Sequence, residues 1–284
     1  MVRMQASHYA PPHGHPLRPF VHGIWQICVA HPHWRQRVFP RGIVDLMFPL
    51  EGRLTLTEAH TNDSPMIHDA PFVAGLQSRA VSSEAKGGLL MLGLSLKAET
   101  SRAIFSLPAH ELSDLTIRAD HVLPGTEALF GRLHDAPTFR DRCDLLMRWL
   151  ERSTRTSDRL ARIEHACSVI GQSVDLSAID HAADAVGYTS RHLRRVFLDF
   201  VGTAPGDYLR LRRFNTALRQ MRSPRNLTEI ALAAGYYDQA HFCRDFKDFT
   251  GLTPGAYRAQ AGVIPGILFS PDVRPIQSPE NGLA

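Results

Sequence analysis

The C-terminal half of the chain contains the same pattern twice. Residues 187–208 are echoed by residues 235–257. Gly187 aligns with Gly235 at an offset of 48, and Phe197, Phe200, Gly202, Pro205 and Tyr208 align with Phe246, Phe249, Gly251, Pro254 and Tyr257 at an offset of 49. A repeat of this length means one supersecondary unit built twice. Each copy is preceded by a short alanine-rich segment with helical spacing, 176–186 in the first and 227–234 in the second. Its small side chains let a second helix cross it closely. A glycine follows, Gly187 or Gly235, where a sharp turn needs left-handed backbone. Ser190 or Asp238 is then positioned to cap the next helix through its side-chain oxygen. In that helix Leu193, Val196, Phe197 and Phe200 share one face, as do Phe242, Phe246 and Phe249.

Such a unit is a helix-turn-helix, and its second helix leaves a polar face free. That face carries Arg191, Arg194 and Arg195 in the first copy and Gln239, Ala240, His241 and Arg244 in the second. Arg, Gln and His can read base edges in the major groove, where the N-terminal residues of a recognition helix touch DNA. The net charge is only +4, but nine arginines against two aspartates fall between residues 185 and 225. A focused basic region is the footprint of a phosphate-binding surface. Residues 207–222 between the copies read as one long helix, with Leu209, Leu211, Phe214, Ala217, Leu218 and Met221 as its apolar stripe. Such a helix would fix the two units relative to each other, so that one chain reads two successive grooves and an asymmetric site.

The first part reads differently. Strands are expected over 20–30, 43–48, 53–57, 70–74 and 88–96, with Pro40-Arg41-Gly42, Glu51-Gly52 and Gly87-Gly88 as turns. Several short strands suggest a barrel or sandwich. Residues 126–134 and 138–152 turn helical, with Leu129, Leu133, Cys143, Leu146 and Leu150 at three- and four-residue steps. The polar stretch 151–158 has the composition of a joint. The fold class expected is α+β: a β-rich domain with a helical end over 1–152, an all-α domain over 153–260, and a Pro- and Gly-rich tail of little structure over 261–284.

The motifs around Ala182 to Phe197 and from Ile230 to Arg258 (including Gly235-Tyr236, Phe242, Phe246-Lys247 and Thr250-Gly251-Leu252-Thr253-Pro254) closely resemble the DNA-binding domain of the AraC/XylS family of bacterial transcriptional regulators. By position, the resemblance puts the base-contacting residues at Arg191, Arg194, Arg195, Gln239, Ala240, His241 and Arg244. Ala240 departs from the longer polar residues common there. The resemblance implies double-stranded promoter or operator DNA and RNA polymerase as partners, no cofactor, and a first domain for sensing or dimerisation. A weaker similarity to effector domains of such regulators rests on Phe39-Pro40-Arg41-Gly42-Ile43-Val44-Asp45-Leu46, Gly75 and Glu111-Leu112-Ser113-Asp114. A small-molecule effector in a pocket lined by residues such as Trp25 and Phe48, and a homodimer, are expectations for that domain.

Other classes find little support. GxSxG, HExxH and phosphate-loop motifs are absent, and no enzyme activity is expected. His22 and Cys28 would share a strand face but stand about 20 Å apart, too far for a nucleophile and its base. Six histidines before residue 34 lack a metal-box spacing, so no metal is expected. The scattered cysteines Cys28, Cys143, Cys167 and Cys243 read as buried free thiols. Neither a hydrophobic leader nor a membrane-length apolar run occurs, and the cytoplasm is the expected location with no membrane partner.

Overall fold

The computed structural model describes residues 3–58, 65–172, 175 and 177–260; the expected tail over 261–284 lies outside them. The architecture is α+β: an antiparallel sheet from the first half and helices from the second. The strands are β1 (Arg3–Tyr9), β2 (Val21–Ala30), β3 (His33–Val38), β4 (Ile43–Glu58), β5 (Met66–His68), β6 (Phe72–Ala74), β7 (Val81–Lys97) and β8 (Thr116–Arg118). Their order is β1-β2-β7-β4-β6-β8, with β3 added to β7 and β5 to β4.

Two long strands organise the sheet. One edge of β7 pairs first with β3 through Val81 to Lys86 and then with β2 through Leu89 to Leu96, while β4 follows its other edge throughout. Both strands bend where Gly52 meets Gly88. Gly52 has φ +79°, Gly87 +82° and Gly88 +96°, and a Cβ on Gly52 would run into the carbonyl of Gly88. Glu51-Gly52 and Gly87-Gly88, expected as turns, are therefore inside strands. The glycines mark a bulge that bends a continuous pair, because left-handed backbone serves a bulge as well as a turn. The bend curls the sheet and gives it two separately buried faces. Val44, Leu46, Phe48 and Leu92, Leu94, Leu96 enter the main core, whereas Trp25, Ile27, Trp34, Leu54, Leu56, Leu89 and Met91 form a second cluster.

The helices are α1 (Ser101–Phe105), α2 (Thr126–Asp135), α3 (Phe139–Ser153), α4 (Asp158–Gln172), α5 (Ser177–Ala185), α6 (Ser190–Val201), α7 (Pro205–Gln220), α8 (Leu227–Ala233), α9 (Gln239–Thr250) and α10 (Pro254–Gln260). Leu129, Leu133, Cys143, Leu146 and Leu150 are all buried, as the helical spacing predicted. Cys143 and Cys167 are buried thiols, but Cys28 is exposed at an outward position of the largely buried β2, and Cys243 is half-buried at the edge of the buried face of α9. None of the helices among the described residues is long and apolar enough to cross a membrane.

One continuous core runs from Leu17 to Tyr257 and joins the sheet to the helices. Polar contacts reinforce the junction: Arg102 pairs with Asp199 at 2.5 Å, and Ser113 Oγ donates to the Gly202 carbonyl at 2.7 Å. Between the halves lies a cleft of about 940 Å³, lined among others by Arg18, Arg37, Arg41, Lys97, Glu99 and Arg212.

Candidate nucleic-acid interface

The repeated units fold as two helix-turn-helix pairs, α5–α6 and α8–α9. In the first, Ala178, Ala182 and Ala183 of α5 are buried, and in the second Ile230 and Ala231 of α8. Gly187 (φ +70°) and Gly235 (φ +82°) make the turns. Leu193, Val196, Phe197 and Phe200 of α6 and Phe242, Phe246 and Phe249 of α9 are the buried faces. Burying three or four such side chains per helix, at about 1.5–3 kcal/mol each, fixes which face turns outward.

The caps refine the alignment of the copies. Asp238 caps α9, accepting from the His241 amide at 2.6 Å. In α6 the cap is Thr189, accepting from the His192 amide at 3.2 Å, and not the expected Ser190, which is the first helical residue and donates its hydroxyl to Asp180 at 2.8 Å. Thr189 stands 49 residues before Asp238, so the offset has already changed at the cap. The extra residue of the second copy is then Tyr237, which is 90 % exposed.

Arg191, Arg194 and Arg195 are exposed on α6; Gln239, Ala240 and Arg244 are exposed on α9, and His241 is half-buried. The structure thus brings the first three together on one helix and the other four on a second. Their engagement differs. Arg195 lies 3.2 Å from Nδ1 of His192, and Gln239 accepts from the Thr228 hydroxyl at 2.8 Å. The His241 ring packs edge-on to Tyr236 at 5.2 Å, with its Nε2 3.8 Å from Asp245. His241 is therefore partly a structural side chain, held between an aromatic ring and a carboxylate.

The α9 helix is braced from behind by Arg210 of α7. Its Nε donates to Asp245 at 2.8 Å, one terminal nitrogen donates to Asp248 at 2.6 Å, and the guanidinium lies 4.9 Å from the Phe249 ring centre. Burial works against the Arg210 charge, but the hydrogen bonds to the two aspartates outweigh it and raise its pKa. Asp245 is 5 % exposed, and its second oxygen has no hydrogen-bond partner among the described residues. Burial, aided by Asp245, also pushes the Tyr236 hydroxyl up. Sequence reasoning missed this brace because Arg210 and Asp245 are 35 residues apart. An aspartate on the otherwise apolar side of α9 was the available signal.

Residues 182–260 match the family model of a helix-turn-helix domain, and residues 7–118 match a domain of unknown function, DUF6597. The chain is 38 % identical over 63 residues to the probable transcription factor PqrA of Proteus vulgaris, a stretch that is 22 % of this chain and 52 % of PqrA. It thus spans about half the length of that curated relative. Among solved structures, a transcriptional regulator with an AraC-type DNA-binding domain from Chromobacterium violaceum is 29 % identical over 37 % of this chain and 96 % of its own, with a TM-score of 0.34. ToxT of Vibrio cholerae is 10 % identical over 91 % of this chain and 98 % of its own, with a TM-score of 0.45.

Proposed function

Because the C-terminal part of this chain is an AraC-type helix-turn-helix domain, we propose that the protein is a sequence-specific transcriptional regulator reading an asymmetric two-block site with α6 and α9. The observation that carries this reading is the pair of exposed, arginine-bearing N-terminal faces on two helices of one chain. Arg191, Arg194 and Arg195 are the readers of one block; Gln239, Ala240, His241 and Arg244 are those of the other. Arg195 and Gln239 exchange their internal partners for bases or phosphates on binding. The sheet domain over 1–152 senses a small molecule or dimerises, and the helices over 153–260 bind DNA and meet RNA polymerase in the cytoplasm.

Selection from a randomised DNA library with purified protein, Arg195→Ala and Arg244→Ala tests this. A bidentate arginine–guanine contact is worth about 1–3 kcal/mol, hence about 5- to 150-fold at its own base position. The expected motif has two blocks about 10 base pairs apart, one relaxed by each substitution. Tight but featureless binding, weakened equally at all sites, would mean that these arginines hold only phosphates.

A further inference from the structure

The two oxygens of Asp245 are unequally engaged. Oδ1 accepts from Arg210 Nε at 2.8 Å, whereas Oδ2 is buried without a hydrogen-bond partner among the described residues. Buried polar groups are nearly always paired, so Oδ2 is an acceptor that calls for a donor. The His241 ring stands one turn earlier on the same helix, with its Nε2 3.8 Å from Oδ2. The Tyr236 hydroxyl, also buried without a partner among the described residues, feels the same carboxylate. Burial and that charge both keep the proton on the hydroxyl, so Tyr236 adds no second negative charge beside the ring.

A neutral imidazole carries one N–H and one lone pair, and its surroundings decide which nitrogen has which. At 3.8 Å the contact is longer than a hydrogen bond, yet a carboxylate oxygen at that distance attracts an N–H and repels a lone pair. Asp245 therefore favours the ring proton on Nε2. The ring is held in place for this. It packs edge-on to Tyr236 with centres 5.2 Å apart and planes at 90°, and its own backbone amide donates to Asp238 at 2.6 Å. With Nε2 committed to Asp245, Nδ1 is left as the lone pair. The side chain is 37 % exposed, in the first turn of α9, and follows the exposed Gln239 and Ala240 in the chain.

The geometry points to Asp245 as the residue that sets the base choice of His241: it holds the ring with Nε2 protonated and Nδ1 accepting, so that His241 selects adenine or cytosine over guanine or thymine on the strand it faces. Adenine N6 and cytosine N4 are amino donors on the major-groove edge, where guanine O6 and thymine O4 are acceptors. Asp245 is a positioning residue, buried behind the helix and acting through His241 without touching DNA. The base choice rests on the function proposed above; the tautomer does not.

The test starts with full-length ¹⁵N-labelled protein without DNA, at mildly alkaline pH where a histidine of ordinary pKa is neutral. Two-bond ¹⁵N–¹H correlation of the imidazoles separates the two neutral tautomers from each other and from imidazolium, and His241→Gln identifies the His241 pattern. The native ring is expected as the Nε2–H tautomer. Asp245→Asn is nearly isosteric and keeps a carbonyl oxygen for Arg210 Nε, which turns its amide N–H towards the ring. Nε2 must then accept, and the pattern should change to Nδ1–H. Randomised-library selection with the same proteins should show one position in the α9 block where adenine and cytosine are favoured about two- to tenfold, the worth of one neutral hydrogen bond. In Asp245→Asn guanine and thymine should be favoured there by a similar factor. His241→Gln, whose amide both donates and accepts, should show neither preference. Nδ1–H or imidazolium in the native protein, a measurement that needs no variant to fold, overturns the proposal. So does a tautomer unmoved in Asp245→Asn, or an α9 block that is the same in all three proteins. Featureless DNA binding beside the Nε2–H signature would refute the function above and the base choice with it, and leave the tautomer standing.

Discussion

Replacing Arg210 by methionine is the most direct probe of how α9 is held. The change removes the only cation within hydrogen-bond distance of Asp245 among the described residues, and leaves that carboxylate 5 % exposed. Breaking a buried pair by removing one partner costs about 3–5 kcal/mol. Here the guanidinium is 37 % exposed and Asp248, its second partner, 64 % exposed. Water therefore screens part of the loss, and the Asp248 bridge is worth at most about 0.5–1 kcal/mol. Methionine retains the packing against Phe249 but forfeits the cation–π attraction, about 0.5–1 kcal/mol. With the Asp245 pair discounted by that exposure to about 1.5 kcal/mol, the three contributions come to about 2–3.5 kcal/mol lost from the urea-unfolding free energy. Pairing Arg210→Met with Asp245→Leu removes both charges and should restore most of the loss, a coupling of at least about 1.5 kcal/mol in a double-mutant cycle. Because the brace sits behind α9 and not α6, the function proposed above has the block assigned to α9 weaken more than the other. Singles that add within about 0.5 kcal/mol, or equal weakening of both blocks, would refute the reasoning.

Three further outcomes are expected. Gly93 faces Trp25 across the strands, and a Cβ there would stand inside the indole. Gly93→Ala should cost about 1–3 kcal/mol by overpacking and disturb the Trp25–Ser95 bond; unchanged urea unfolding and unchanged tryptophan fluorescence would contradict this. Burial pushes the Glu99 carboxyl up, against partial relief from Lys97 and Arg212, and burial next to Glu99 does the same to Glu164. A raised folded pKa favours the neutral acid, so stability from this pair is present below the unfolded pKa and lost as pH rises through the raised values. Glu99→Gln should then melt higher than the native chain at neutral pH and lose part of that acid-side gain, and an unchanged melting profile across pH would rule this out. Finally, Tyr237 is exposed just before the cap of α9, and on the function proposed above it contacts a phosphate there. Tyr237→Phe should weaken binding about two- to tenfold on every DNA sequence while the melting temperature stays constant; an effect confined to one base position would assign it to base reading instead.

Much of the helical half was legible because its signals are local. Glycine turns, capping oxygens and phenylalanines at helical spacing act within a few residues, and doubling them removed ambiguity. The one-residue error at Ser190 came from aligning the copies before rather than after Tyr237. The sheet was harder to read. The strands β1 and β3 carry polar residues with little apolar alternation and exist because β2 and β7 offer them edges. Phe48 and Met47 illustrate the remaining difficulty: over 43–50 both faces of β4 are covered, so a two-residue period cannot tell them apart, and Phe48, expected to line an effector pocket, lies in the main core while Met47 packs on the second cluster.

The sequence by itself determined that the chain carries two helix-turn-helix units and which side chains form their outward faces. Helix period, turn chemistry and capping are properties of neighbouring residues. Only the tertiary structure decided that Gly52, Gly87 and Gly88 bend two strands instead of ending them. It alone also joined Arg210 to Asp245 and set Trp34 and Arg37 on opposite faces of β3, one in the second buried cluster and the other against the end of α9. Those relations join residues far apart in the chain, and what selects them is the packing of a shared core and the pairing of buried polar groups, neither of which has a local signature.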